Sequence, residues 1–128
     1  MSDGRSAWLI DGNNVMGSRP DGWWRDRRGA ARGLAVQLAE FAAREGVPVT
    51  VVFDGSPFEI EVPGEAPLDV AFAARRGRDA ADDEITRRVA AAADPAALTV
   101  VTSDAELARR VRQHGAEVVP AGRFRSRL

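Results

Sequence analysis

"AWLIDGNNVMG", residues 7–17, decides how this chain is read. "AWLI" has the look of a buried strand, and the chain then turns at once on Asp11, Gly12, Asn13 and Asn14. A carboxylate and two amides are thus delivered to the place where a core strand stops. The pattern returns twice. "VPVTVVFDG", residues 47–55, is a β-branched run that ends in Asp54, and "ALTVV", residues 97–101, leads through Thr102 and Ser103 to Asp104. Two further runs complete the set of strand candidates: "LDVAFA", residues 68–73, and "EVVP", residues 117–120. "FEIEV", residues 58–62, alternates apolar and acidic residues and reads as a short strand or an irregular edge piece.

Between the strands the apolar period changes to that of a helix. Leu34, Leu38, Phe41 and Ala42 predict a helix over about 29–45, closed by Gly46. Ile85 and Val89 share one face of a helix over 81–93. A further helix is expected after residue 102, opened by a Ser103–Glu106 capping box and closed by Gly115. Residues 11–24 read as a loop and residues 121–128 as a basic tail. Strands that alternate with helices predict an α/β fold, a three-layer α/β/α sandwich around a mainly parallel sheet. The length suits one domain over 1–128, with its core in 6–120.

Composition narrows the chemistry. There is no cysteine, so disulfides and thiolate metal sites are excluded, and His114 cannot build a zinc site alone. Every basic residue other than His114 is arginine. A mechanism that needs a lysine amine is therefore ruled out, as is the lysine of a phosphate-binding P-loop. No run approaches the length of a membrane span, and "MSDGRS" lacks a signal pattern, so a cytoplasmic protein without a membrane partner is expected.

In an open parallel sheet the carboxyl ends of the strands lie along one edge, and ligands bind there. Asp11, Asp54 and Asp104 are expected at that edge. Asp82, Asp83 and Glu84 open a helix that follows a strand and so begin at the same edge. Each acid alone also fits ordinary turn or helix-start chemistry; the shared edge is what points to a site. Carboxylates held close repel one another, and a divalent cation resolves the conflict. Oxygen-only ligands favour Mg2+ or Mn2+, ions that activate water and neutralise a phosphodiester under attack. Asp11 is then a metal ligand on a rigid strand end, and Asn13 or Asn14 positions water or phosphate.

In order, "LIDGNNVMG", "VVFDG", "AADDEI" and "VVTSDAEL" resemble the motifs of the NYN domain, in particular its YacP-like branch, within the PIN-like nuclease group. The likeness runs from Trp8 to about Phe124. It implies a doubly wound parallel sheet and metal-dependent cleavage of RNA. The metal-binding, catalytic acids it implies are Asp11, Asp82 and Asp104, with Asn14 and Ser103 in support. Asp54 matches the acidic end of the second strand, and Asp83 is the alternative to Asp82. The approach to that helix is Ala80-Ala81-Asp82, where Thr-Ala-Asp would match the pattern.

A nuclease must also hold a polyanion. "RPDGWWRDRRGAAR", residues 19–32, sets Trp23 and Trp24 beside Arg25 and Arg28, so that rings meet bases and guanidiniums meet phosphates. Arg75, Arg76 and Arg78 precede the acidic helix, and Arg123, Arg125 and Arg127 mark the tail. The expectation is an Mg2+- or Mn2+-dependent endoribonuclease acting on unpaired RNA; the alternative is a non-catalytic RNA-binding module. RNA is the expected partner, with ribosome association and a homodimer as further candidates. A phosphoacceptor domain would need a late lysine. A haloacid dehalogenase-type phosphatase would need an acid where Asn13 stands.

Overall fold

A computed structural model describes residues 7–19, 21–62, 64–73 and 80–128. Five parallel strands form one sheet in the order β3-β2-β1-β4-β5: β1 (Ala7–Asp11), β2 (Val49–Asp54), β3 (Leu68–Ala73), β4 (Leu98–Val101) and β5 (Glu117–Val119). The β-branched runs take the strands because branched side chains pack well on a pleated, buried surface. β1 sits in the middle. The chain moves outward from it through β2 to β3, then returns to its other side as β4, so the order reverses beside β1.

Side-chain alternation sorts the core into two layers. Ile10, Val51, Phe53 and Val101 face one side, where α1 (Gly12–Met16), α2 (Arg27–Glu45) and α5 (Ala121–Arg125) pack. Leu9, Val52 and Val100 face the other, covered by α3 (Ala80–Ala91) and α4 (Ala105–Gln113). The architecture is the three-layer α/β/α sandwich that the alternation predicts.

Four local expectations are corrected. Residues 11–24 are not one loop: α1 starts directly after Asp11, and Trp23–Arg25 forms a single 3-10 turn. α1 can lie that close to the sheet because residue 12 is glycine. A Cβ there would stand 2.5 Å from the Phe53 ring. α2 starts two residues early because Asp26 caps it, its carboxylate accepting from Gly29 N at 3.0 Å. "FEIEV" does not join the sheet, so of its two readings the irregular piece holds and the strand does not. Its alternation serves packing instead: Phe58, Ile60 and Val62 lie against the α2-side core while Glu59 and Glu61 are exposed, and β3 holds the place beside β2.

The fourth correction concerns the tail. Ala121–Arg125 is helical, and Phe124 is fully buried against Trp8 and Phe41, with ring centroids 5.5 and 5.1 Å away. Arg125 reaches back to the end of α1 and donates to the carbonyls of Val15 (3.0 Å) and Met16 (3.2 Å). Arg127 lies over the rings of Trp8 and Phe41. Arginines that read as a solvated tail hold the last helix to the core.

Candidate active site

Register builds the site before any side chain is considered. Asp11 pairs with Val52 of β2, and Ile10 with Val101 of β4, so Asp11 stands level with Thr102. Asp54 and Asp104 lie two residues beyond that level, one on each side. Asp11 has the parity of Leu9, and Asp54 that of Val52, so both point toward the α3 and α4 layer.

Hydrogen bonds tie these ends together. Thr102 Oγ1 donates to Asp11 Oδ2 at 2.8 Å and accepts from Asp104 N at 3.1 Å. Asn13 Oδ1 accepts from Asp54 N at 2.8 Å, and Asn14 Oδ1 from Ser103 N at 2.7 Å. The two amides that follow β1 thus clamp the neighbouring strand ends on either side of it. Asp54 Oδ1 accepts from Ala81 N at 3.1 Å and fixes the first turn of α3. Asp104, not Ser103, caps α4, accepting from Leu107 N at 2.9 Å. Ser103 Oγ instead accepts from Ala121 N at 2.9 Å and anchors α5. The capping box fails because Asp104, its backbone extended, is the residue that caps, and the helix opens one residue later.

Asp11 is 5 % exposed and Thr102 2 %. The Asp11 carboxyl is raised from 3.8 to about 6 in the balance of several effects, burial the largest. The Thr102 hydroxyl and the Asn14 backbone amide pull it back, and the nearby charges of Asp54 and Asp104 raise it further. The central acid of the edge is therefore desolvated and senses two others.

The second acidic group lies in the first turn of α3. Asp82 and Asp83 are both half-buried. Asp83 Oδ1 accepts from Arg110 Nη1 at 3.1 Å across to α4. Glu84 is held below its ordinary value by Arg87, with Arg88 adding to the effect. Among the described residues no group of three or more acids or histidines is gathered closely enough to hold a metal ion.

The model for the YacP-like NYN domain matches residues 8–128. This chain belongs to the YacP-like NYN domain family. It is similar to two crystal structures of Rae1 (YacP) from Bacillus subtilis. One, a point mutant, is 26 % identical with a TM-score of 0.74 over 95 % of this chain and 73 % of that one. The other is 23 % identical with a TM-score of 0.68, over 95 % and 76 % respectively, and shows the fold alone. A UPF0178 protein of Rhodopseudomonas palustris (strain BisB18) is 42 % identical over 83 residues, 65 % of this chain and 48 % of that protein. The chain spans about half the length of that curated relative.

In this YacP-like NYN domain the expected RNA-contacting residues divide. Trp24 is 49 % exposed, with the Arg25 guanidinium 5.8 Å from its ring. Trp23 is half-buried against the α2-side core, with Arg27 over it. Arg28 and Arg32 stack on Phe58, and Arg32 Nε donates to Glu59 O. Arg75, Arg76 and Arg78 lie outside the described residues. His114 is exposed at the end of α4. The residue that sequence reasoning passed over is Thr102. Its signal was present, a hydroxyl two positions before the acid at a strand end, but only register shows that it meets Asp11.

Proposed function

We propose that this chain is a metal-dependent endoribonuclease that hydrolyses phosphodiester bonds of single-stranded or unpaired RNA, leaving a 3′-hydroxyl and a 5′-phosphate. The observation that carries the reading is Asp11. A buried carboxylate raised to about 6, chiefly by burial and in smaller part by Asp54 and Asp104, is costly to the fold and typical of a working site. Family membership points the same way.

The donor set fits Mg2+ or Mn2+. All of its donors are oxygens, the acids repel one another, and such ions need only one or two carboxylates when water and substrate phosphate complete the shell. The lack of a three-acid cluster among the described residues is compatible with that mode. Of the candidate acids Asp11, Asp82 and Asp104, Asp11 with one other is the proposed direct ligand pair and the third acts through water, with Asp83 as the alternative to Asp82. The ion would supply an activated water and offset charge on the phosphate. Thr102 orients the Asp11 carboxylate and steadies the backbone at Asp104. Asn13 and Asn14 keep the strand ends in place, Asp54 holds the start of α3, and Ser103 holds α5. Trp24, Arg25 and Arg28 are proposed to grip the RNA.

A non-catalytic RNA-binding module is the second reading, favoured by that same lack of a three-acid cluster. A labelled single-stranded RNA incubated with and without chelator separates the two. Cleavage that needs Mg2+ or Mn2+ and is lost in a folded Asp11→Asn protein supports the nuclease. Binding with no cutting under any metal condition supports the module.

A further inference from the structure

A hollow of about 600 Å³ opens between the turn at Trp23, the end of α1 and the first half of α2. Met16 and Leu34 give it an apolar lining, and Trp23 gives it an aromatic face. Nothing lies within 4 Å of the place a Cβ would occupy on Gly33, so the chain's own side chains leave that part of α2 bare. Beside it, Val36 is 41 % exposed, a high value for a large aliphatic side chain.

Two features select the occupant. Asp21, Asp26 and Arg125 line the hollow, but the Arg125 guanidinium is taken up by Asp21 at 3.3 Å and by the Val15 and Met16 carbonyls, so a phosphate placed inside would meet more acid than available cation. A nucleobase is neutral and flat, stacks on an aromatic ring, and carries N–H groups that a carboxylate accepts. Around the opening, the segment that contributes Asp21, Trp23 and Asp26 also carries exposed Arg19, Arg25 and Arg27, suited to the sugar-phosphate chain outside. α1 begins directly after Asp11 and ends in Met16, which lines the hollow, about 7 Å of helix axis away.

We infer that this hollow receives one unpaired base of the RNA, outside the stretch presented to Asp11. The inference rests on the RNA reading above, but not on catalysis. Gly33→Leu tests it. The position is exposed in mid-helix, where leucine is the better helix former, so the fold is kept while the hollow is filled. Binding of a short single-stranded RNA is measured in chelator by fluorescence polarisation. The backbone amide of Gly22 and the indole N–H of Trp23 are followed by NMR.

The expected result is that RNA moves both signals in the wild-type protein. Gly33→Leu should then bind about 10- to 100-fold more weakly, as should wild type with an oligonucleotide lacking its bases. Equal affinity in Gly33→Leu overturns the inference, as does RNA binding that leaves Gly22 and Trp23 unmoved. So does a hollow that takes an apolar peptide and no RNA. If RNA enters the hollow but is never cut, the nuclease reading fails and this one stands. If cutting is metal-dependent and Gly33→Leu binds as wild type, the reverse holds.

Discussion

Asp11 carries the residue-scale consequences. Its carboxyl titrates at about 6 in the folded chain against 3.8 when free. Between those values the folded protein holds more protons than the unfolded one, so stability falls as pH rises through that window. The stability linked to this proton is fully present below 3.8 and is lost above about 6. At neutral pH and without metal, the buried charge costs on the order of 3 kcal/mol at most. Asp11→Asn should therefore be more stable than wild type in chelator at pH 7, and the difference should shrink toward pH 4. Chemical unfolding of both proteins across that range checks it. A dication that binds only the folded form should recover the loss. Mg2+ or Mn2+ should raise the melting temperature of wild type at pH 7 and leave Asp11→Asn unmoved. Gly12 answers to a different constraint. Gly12→Ala drives a methyl into the Phe53 ring, and a loss of about 1–3 kcal/mol is expected in denaturant titration.

Among the elements, α4 joins structure to the proposed chemistry, because Asp104 both caps it and flanks Asp11. Asp104→Ala should lose about 1 kcal/mol of stability along with activity, whereas Asp104→Asn keeps a capping oxygen and should lose activity alone. Paired unfolding and cleavage assays tell the two effects apart. α5 shows where sequence reading stops. Its short span and two arginines suggest a solvated end, and nothing local reveals that Phe124 fills the space between Trp8 and Phe41. Phe124→Ala should cost about 3–5 kcal/mol, visible as a lower unfolding midpoint. The strands were legible because β-branched runs bounded by turns leave few alternatives; β3 matches its predicted bounds residue for residue. Helix starts were less so. The N-cap acids Asp26 and Asp104 compete with nearby residues of similar chemistry, and the backbone path decides between them.

At the scale of the whole molecule, the parallel sheet and the meeting of Asp11, Asp54 and Asp104 along one of its edges were legible, while the strand order was not. Acids at the carboxyl ends of parallel strands must share an edge, whatever the loops do. What stayed hidden was the wiring between them. Asn13 and Asn14 read as substrate-facing groups, yet their side-chain oxygens are bound to the neighbouring strand ends. Thr102 carried a signal in its hydroxyl two positions before Asp104, but its bond to Asp11 spans strands and shows only in the register. Such bonds join residues 41 to 91 positions apart, beyond the reach of a pattern read along the chain. The packing of the aromatics has a practical corollary. Tyrosine is absent, and of the three tryptophans Trp8 sits in the α5 cluster while Trp23 and Trp24 stand together near the hollow. The protein's intrinsic emission thus comes from two distinct neighbourhoods. A chain keeping only Trp8 would light up the melting of the interior, and one keeping only Trp23 would register an arriving guest.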